Sequence, residues 1–302
     1  MGKHRFTGPS KFIQFAFARV LIKLFQLLPV RVAYCFGQML GRLLHRCLSR
    51  RRKVVADNLT VIRQWQGAGS VGEAERSEEV REVFMRAGAN LLSGISFANL
   101  PAESVSKHLE VEGLELLEAA LAERNGVIVL LAHMGPWEAL AHLPEIAAEH
   151  GITNAFGALY RPLNNDYLDD WFKAQREGRG TRLFSRRDGF HKPIEFIRDG
   201  GMLGILSDQK MRQGETVEFF GCEVSTTPIP GIFHRKTGAP MISLSLSTLG
   251  PAHWRMHFRR VDLSSLSRES SREEGCRLCN SALEESLSDS ILDGFWFQER
   301  FQ

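Results

Sequence analysis

Apolar positions along the chain follow two patterns. The first is helical. From Phe12 to Leu28 the apolar run is interrupted at Gln14, Arg19, Lys23 and Gln26. Together with Lys11, these polar positions fall on about half of a helical wheel. Pro29 ends this element, because proline cannot continue a helix. A second helix is expected from Val32 to Leu48, with Arg42 and Arg46 one turn apart. Helical spacing recurs at Val80–Ala98, Val111–Arg124, Ala139–His150, Asp166–Glu177, Lys192–Asp199 and Ser271–Ser288. The second pattern is a continuous apolar run after a break at Gly126. Val127-Ile128-Val129-Leu130-Leu131 reads as a strand buried on both faces. Further strands are expected at Asn154–Leu159, Met202–Ser207, Met241–Thr248 and Trp254–Phe258. Strands alternating with helices imply an α/β domain with a central, mostly parallel sheet flanked by helices.

Charge changes the picture at the amino end. Through residue 56 there are twelve Lys and Arg and no Asp or Glu, leaving 26 of the 38 basic residues against all 35 acidic ones beyond it. Residues 1–56 therefore read as a basic, apolar, membrane-associating helical segment, ahead of a catalytic domain over 57–302. Cationic and aliphatic side chains together suit a surface of anionic headgroups over acyl chains. Nucleic acid would call for the charge without so many aliphatic residues. A helix lying in the interface is the preferred form, and a single tilted span is the alternative. The run is short for spanning, which takes roughly 20 apolar residues, and it holds two charges. If anything crosses, the cluster Arg50-Arg51-Arg52-Lys53 belongs on the cytoplasmic side. Interrupting charges and the lack of a small-residue cleavage site argue against a secretory signal. The segment also lacks the Ser-rich composition of a transit peptide.

The rest of the composition bounds the class. Hydrophobic residues make up 43% and charged residues 24% of 302, enough for a folded domain with a real core. Twenty Phe against 3 Tyr lean toward lipid contact. Gln66–Ser77 reads as a polar surface loop. The cysteines Cys35, Cys47, Cys222, Cys276 and Cys279 are odd in number and scattered, against a disulfide framework. Cys276 and Cys279 form a lone C-x-x-C within a helical pattern, so a packing role outweighs zinc or redox chemistry.

The candidate chemistry lies at the carboxyl end of the buried strand, in Ala132-His133-Met134-Gly135-Pro136-Trp137-Glu138. Strand carboxyl ends carry the sites of such sheets, and Pro136 fits the first turn of a helix. The spacing lets Glu138 reach back to one nitrogen of His133, fix its tautomer and raise the basicity of the other. Gly135 leaves room for a close substrate approach, and the following helix N-terminus offers N–H groups to an oxyanion. An arbitrary His-x-x-x-x-acid pair is usually structural; the strand, the Gly-Pro turn and the helix are what favour catalysis here. No H-E-x-x-H or H-x-H pattern marks a metal site.

His133 to Glu138 resembles the H-x-x-x-x-[DE] signature of the lipid A biosynthesis late acyltransferases, the lauroyl and myristoyl transferases of lipopolysaccharide assembly. Four other blocks agree in order. Asp57-Asn58-Leu59 resembles the family's N-L element, and Tyr160-Arg161-Pro162-Leu163-Asn164-Asn165 its Y-R-P-x-x-N block. Gly200 to Gln209 resembles its strand ending in Asp-Gln, and Phe219-Phe220-Gly221 with Pro230-Gly231 its F-F-G and P-x-G segments. Pro136 stands where the family more often has Asn, and Trp296 to Arg300 is only loosely similar to its carboxyl ending. The resemblance implies an enzyme on the cytoplasmic face of a bacterial inner membrane, an acyl-carrier-protein thioester as donor, and a hydroxyl of a phosphorylated glycolipid acceptor. It implies no metal or organic cofactor. By the same resemblance His133 is the general base and Glu138 its orienting partner. Arg161, suited to an acceptor phosphate or the oxyanion, Asp208, which pairs with Arg161 or positions the acceptor, Gly135 and Gln209 bind substrate. Arg186 and Arg187 read as a solvated pair rather than phosphate ligands.

Other readings stay open at this stage. They are an acyltransferase for another glycolipid or a lysophospholipid, a thioesterase-type hydrolase running the same pair with water, and a non-catalytic membrane adaptor. The absence of a serine nucleophile elbow weighs against the hydrolase.

Overall fold

The computed structural model describes residues 6–67, 72–97, 99–267 and 269–301. Four helices come first: α1 (Pro9–Gln26), α2 (Val30–Cys47), α3 (Ser49–Trp65) and α4 (Glu73–Phe97). A short α5 (Ala102–Val105) leads into β1 (Leu109–Glu112), α6 (Leu114–Leu121) and β2 (Val127–Leu131). A 3-10 segment, Trp137–His142, then runs into α7 (Leu143–Glu149), β3 (Phe156–Tyr160), α8 (Asp166–Glu177), β4 (Thr181–Ser185), α9 (His191–Arg198) and β5 (Met202–Leu206). A hairpin of β6 (Glu215–Phe219) and β7 (Cys222–Thr226) precedes α10 (Ile229–Thr237), β8 (Met241–Gly250), β9 (His253–Arg260) and α11 (Arg272–Ser288).

Seven strands form one sheet in the order β1-β9-β8-β2-β5-β3-β4. β2 pairs parallel with both β5 and β8; the β8–β9 pair is antiparallel and β1 runs parallel to β9. The expected mixed α/β architecture with a mostly parallel sheet is therefore present. β2 is buried along its whole length, which explains its unbroken apolar sequence.

Two expectations need correction, and two features were not expected. The helix expected over Val111–Arg124 begins at Leu114, because Val111 belongs to β1 and pairs with Met256. The chain switches at Gly113, whose φ of +73° brings its α-carbon against the Phe258 carbonyl, leaving no space for a side chain. The loop expected to Ser77 ends earlier, since α4 starts at Glu73; residues 68–71 lie outside the described residues. The β6–β7 hairpin and β4 had no clear periodic signal. Phe219-Phe220-Gly221-Cys222 is the hairpin's tight turn, with Phe220 at φ +50° and Gly221 at +73°.

The amino-terminal helices join this body by close packing. A side chain at Gly37, Gly41 or Gly88 would strike backbone of the partner helix, so α2 and α4 run nearly in backbone contact. Position 56 lies inside α3, whose Val55, Leu59 and Ile62 join the same core as the sheet. α1 buries no residue completely. It is held by Asn165 donating to the Lys11 carbonyl at 2.8 Å and by Tyr167 against Phe12 and Phe15. Much of its apolar side faces outward: Ile13 is 67% and Phe17 71% exposed, and Phe36, Met39 and Leu43 of α2 are exposed as well. Among the described residues, no helix is long and apolar enough to cross a membrane.

Candidate active site

Register places the site. β2 pairs with β5 through Leu131 and Leu206. One step further lie Ala132 and Ser207, and beyond them His133 and Asp208. In-register parallel strands lie about 4.8 Å apart, so these side chains meet at the carboxyl edge. His133 Nδ1 stands 2.7 Å from Asp208 Oδ1. A carboxylate only accepts hydrogen bonds, so the shared proton sits on Nδ1 and Nε2 is left as the basic nitrogen. The His133 side chain keeps 20% of its surface exposed and Asp208 11%. The pair is therefore sheltered yet reachable.

The carboxyl-terminal segment braces this pair. The N–H of Phe295 donates to the His133 carbonyl at 2.8 Å, and that of Gly135 to the Asp293 carbonyl at 3.1 Å. Asn58 of α3 donates to the carbonyls of Trp296 and Gln298. Arg300 is buried and donates to the Ser225 carbonyl and the Thr226 hydroxyl. Burial pulls its pKa down to about 10, while the negative charge of Asp208 works the other way. The weakly matching ending thus sits directly behind the histidine.

Glu138 does not occupy the place expected of it. Both its carboxylate oxygens accept from Arg176 of α8, at 2.8 and 3.1 Å. Asp208, not Glu138, holds the imidazole. The physical reason lies in the turn: Trp137 to His142 form a 3-10 segment rather than an α-helix, with Glu138 in its first turn, while the β2–β5 register delivers Asp208 to Nδ1. Glu138 and His133 still line the same cavity. Gly135 is also differently employed. It has φ +58°, and a side chain there would lie 2.3 Å from the Leu246 carbonyl oxygen of β8, so the close neighbour is the sheet itself. The backbone donors of Met134, Gly135 and Ala139 are already taken by the carbonyls of Ala132, Asp293 and Pro136.

The cavity above this edge measures about 530 Å³. His133, Trp137, Glu138, Arg161, Arg176 and Gln209 are in its wall, with apolar side chains such as Leu140, Phe156 and Leu159. Arg161 follows β3 and Gln209 follows Asp208, as the carboxyl-edge rule requires. Asp208, expected beside Arg161 or the acceptor, instead meets His133. Arg176 and Arg186 also line the cavity; Arg176 went unread in the sequence, and Arg186, read there as solvated with Arg187, is half-buried in the cavity wall. Arg176 could have been found from the amphipathic face of α8; Arg186 could not, because its strand was not recognised. Cys276 and Cys279 do not line the cavity: both are buried in α11, where desolvation pushes each thiol up to about 12.

The profile of the bacterial lipid A biosynthesis acyltransferase family matches residues 1–302. The chain is 25% identical over 222 residues to the lipid A biosynthesis palmitoleoyltransferase of Escherichia coli (strain K12), covering 72% of this chain and 69% of that protein. It is 25% identical over 218 residues to the lauroyltransferase of the same strain, covering 71% and 67%. With the myristoyltransferase it shares 28% over 174 residues, covering 57% and 52%. A histidine paired with a carboxylate at a strand edge, an apolar cavity rimmed with arginine and a match over the whole length agree: this chain is an acyltransferase and belongs to the bacterial lipid A biosynthesis acyltransferase family.

Proposed function

We propose that the chain moves a fatty acyl group from an acyl-carrier-protein thioester to a hydroxyl of a phosphorylated lipid A precursor, at the cytoplasmic face of the inner membrane. The observation that carries this reading is the Asp208–His133 pair, which leaves Nε2 basic beside a cavity of mixed apolar and cationic lining.

The step is direct transfer. His133 Nε2 takes the acceptor hydroxyl proton as the oxygen attacks the thioester carbonyl. A C–O bond forms, the tetrahedral intermediate collapses, and the C–S bond breaks. The imidazolium returns its proton to the leaving thiolate. Asp208 holds the ring and stabilises its charged form. Arg161 is the candidate to face the oxyanion or an acceptor phosphate. Glu138 contributes by anchoring Arg176 in the cavity wall. Ser207, also in the wall, donates to the Ile205 carbonyl rather than to the imidazole, which favours transfer without an acyl-enzyme.

Membrane association rests on α1 and α2. Their exposed Phe, Leu and Met side chains form an apolar face larger than isolated exposed residues would give, amid a segment with no acidic residue through position 56. α8, which supplies Arg176 to the cavity, also holds α1 through Tyr167.

The test is an assay with purified protein, a panel of acyl-carrier-protein thioesters and the phosphorylated glucosamine disaccharide lipid. Acyl transfer to the lipid is expected. Release of free fatty acid at one rate with and without acceptor would make the chain a hydrolase. Transfer only to other glycolipids or lysophospholipids would move the acceptor assignment.

A further inference from the structure

The row of residues at the carboxyl edge does not end at Arg161. β3 and β4 pair in register through Tyr160 and Ser185. The next residue on each strand is an arginine, Arg161 on one and Arg186 on the other. Two guanidinium groups therefore leave neighbouring strands at the same level, about 4.8 Å apart in backbone spacing. Both are in the wall of the cavity that holds His133.

Their environment differs from that of Arg176, the other arginine in this cavity wall. Arg176, Arg179 and Arg259 each meet a carboxylate. Among the described residues, neither Arg161 nor Arg186 meets a carboxylate by hydrogen bond or ion pair. Arg186 donates instead to the Met211 sulfur at 3.9 Å, a weak acceptor. Arg186 is half-buried, whereas Arg187 beside it in sequence is exposed. Desolvation, and then the positive charge of Arg161, press the Arg186 guanidinium toward losing its proton. Two like charges set side by side, one of them partly removed from water, are stable together when an anion lies between them. Guanidinium forks match the oxygens of a phosphoryl group.

We propose that Arg161 and Arg186 together form a seat for a phosphoryl group of a substrate, with Arg186 the residue that makes the cavity selective for phosphorylated ligands. The substrate's identity rests on the acyltransferase reading above; the seat rests on the strand register. Two sources share the chemistry: a phosphate of the glycolipid acceptor, and the phosphodiester that links the donor's thiol arm to its carrier protein. The row runs from His133 on β2 through Asp208 on β5 and Arg161 on β3 to Arg186 on β4, so the seat lies on one side of the base. The acceptor is favoured, since a phosphate held there leaves the sugar hydroxyls toward His133.

The experiment compares wild type, Arg186→Met and Arg186→Lys, each checked for an unchanged melting temperature. Binding of the phosphorylated disaccharide lipid and of its dephosphorylated form is titrated in detergent micelles without donor. KM is then measured separately for acceptor and for acyl-carrier-protein thioester. Wild type is expected to bind the phosphorylated lipid roughly 10–100-fold more tightly, the worth of one or two charged hydrogen bonds. Arg186→Met is expected to erase most of that ratio and raise acceptor KM by a similar factor, with a smaller change in kcat; Lys restores part of it. A rise confined to donor KM assigns the seat to the donor's phosphodiester. Equal discrimination by wild type and Arg186→Met, with neither KM moved, overturns the seat. If wild type transfers no acyl group, the functional reading falls, while the titration still decides the seat.

Discussion

His133 Nδ1 and Asp208 Oδ1 are 2.7 Å apart, although 75 residues separate them in the chain. Their meeting is a result of strand pairing: Leu131 faces Leu206, and the second residue beyond each is the imidazole on one side and the carboxylate on the other. Asp208→Asn keeps the shape but lets the ring choose its tautomer. It is expected to lower kcat by about 10²-fold or more, within the range for disabling a general base, and His133→Ala by about 10²–10⁴. A loss under threefold in Asp208→Asn would remove the carboxylate from the mechanism.

Glu138 and Arg176 form a half-buried ion pair in the cavity wall. If Glu138 works by holding Arg176, the single substitutions Glu138→Gln and Arg176→Met and their double combination form a non-additive cycle. The expected coupling is about 1 kcal/mol or more in activation free energy, as for other residues in direct contact. Additive losses would show that Glu138 acts on the chemistry independently of the arginine.

Gly135 is fixed by backbone geometry rather than by substrate. Alanine there adds both a left-handed strain and a collision with the Leu246 carbonyl. The expected cost is about 2–4 kcal/mol, read by urea unfolding, with activity lost in step. A cost below about 1 kcal/mol would mean that β8 yields easily at this point.

The outward face of α1 gives a prediction for binding to vesicles. Phe17→Asp is expected to weaken binding to anionic phosphatidylglycerol vesicles by roughly tenfold or more, from lost apolar burial and added repulsion. Binding to these vesicles should weaken as salt rises. Unaltered co-sedimentation of the variant would place the lipid contact elsewhere.

Glu284 of α11 accepts a hydrogen bond from the Phe220 N–H in the β6–β7 turn. Burial raises its pKa above the usual carboxylate value, and this outweighs the opposing pull of that bond. A raised folded pKa means that its favourable contribution is complete below the unfolded value and is lost as pH rises through the folded one. Glu284→Gln keeps the acceptor without the charge. It is therefore expected to melt higher than wild type at pH 8, with the gap closing toward pH 4. A gap that is constant across this range would refute the assignment.

The sequence made much of the fold legible. Continuous burial marked β2, and the 3.6 period marked α8 at its observed bounds and α11 within one residue. β4 stayed hidden because Thr181-Arg182-Leu183-Phe184-Ser185 is short and its Arg182 lies over the rings of Phe184 and Phe196. With β4 hidden, Arg186 had no place in the site. The error over Glu138 has the same origin. Local spacing speaks for residues five apart in the chain, whereas the partner of His133 was settled by which strand lies next to β2, a long-range pairing no single segment encodes.

The brace from Asp293 to Arg300 sets an order of events during synthesis. A ribosome releases the outward-facing apolar helices α1 and α2 well before the backbone that clamps His133. A nascent chain stalled before residue 290 would already present its greasy surface while the loop bearing His133 still lacked its clamp. The exposed apolar surface is thus complete well before the brace of His133 can form.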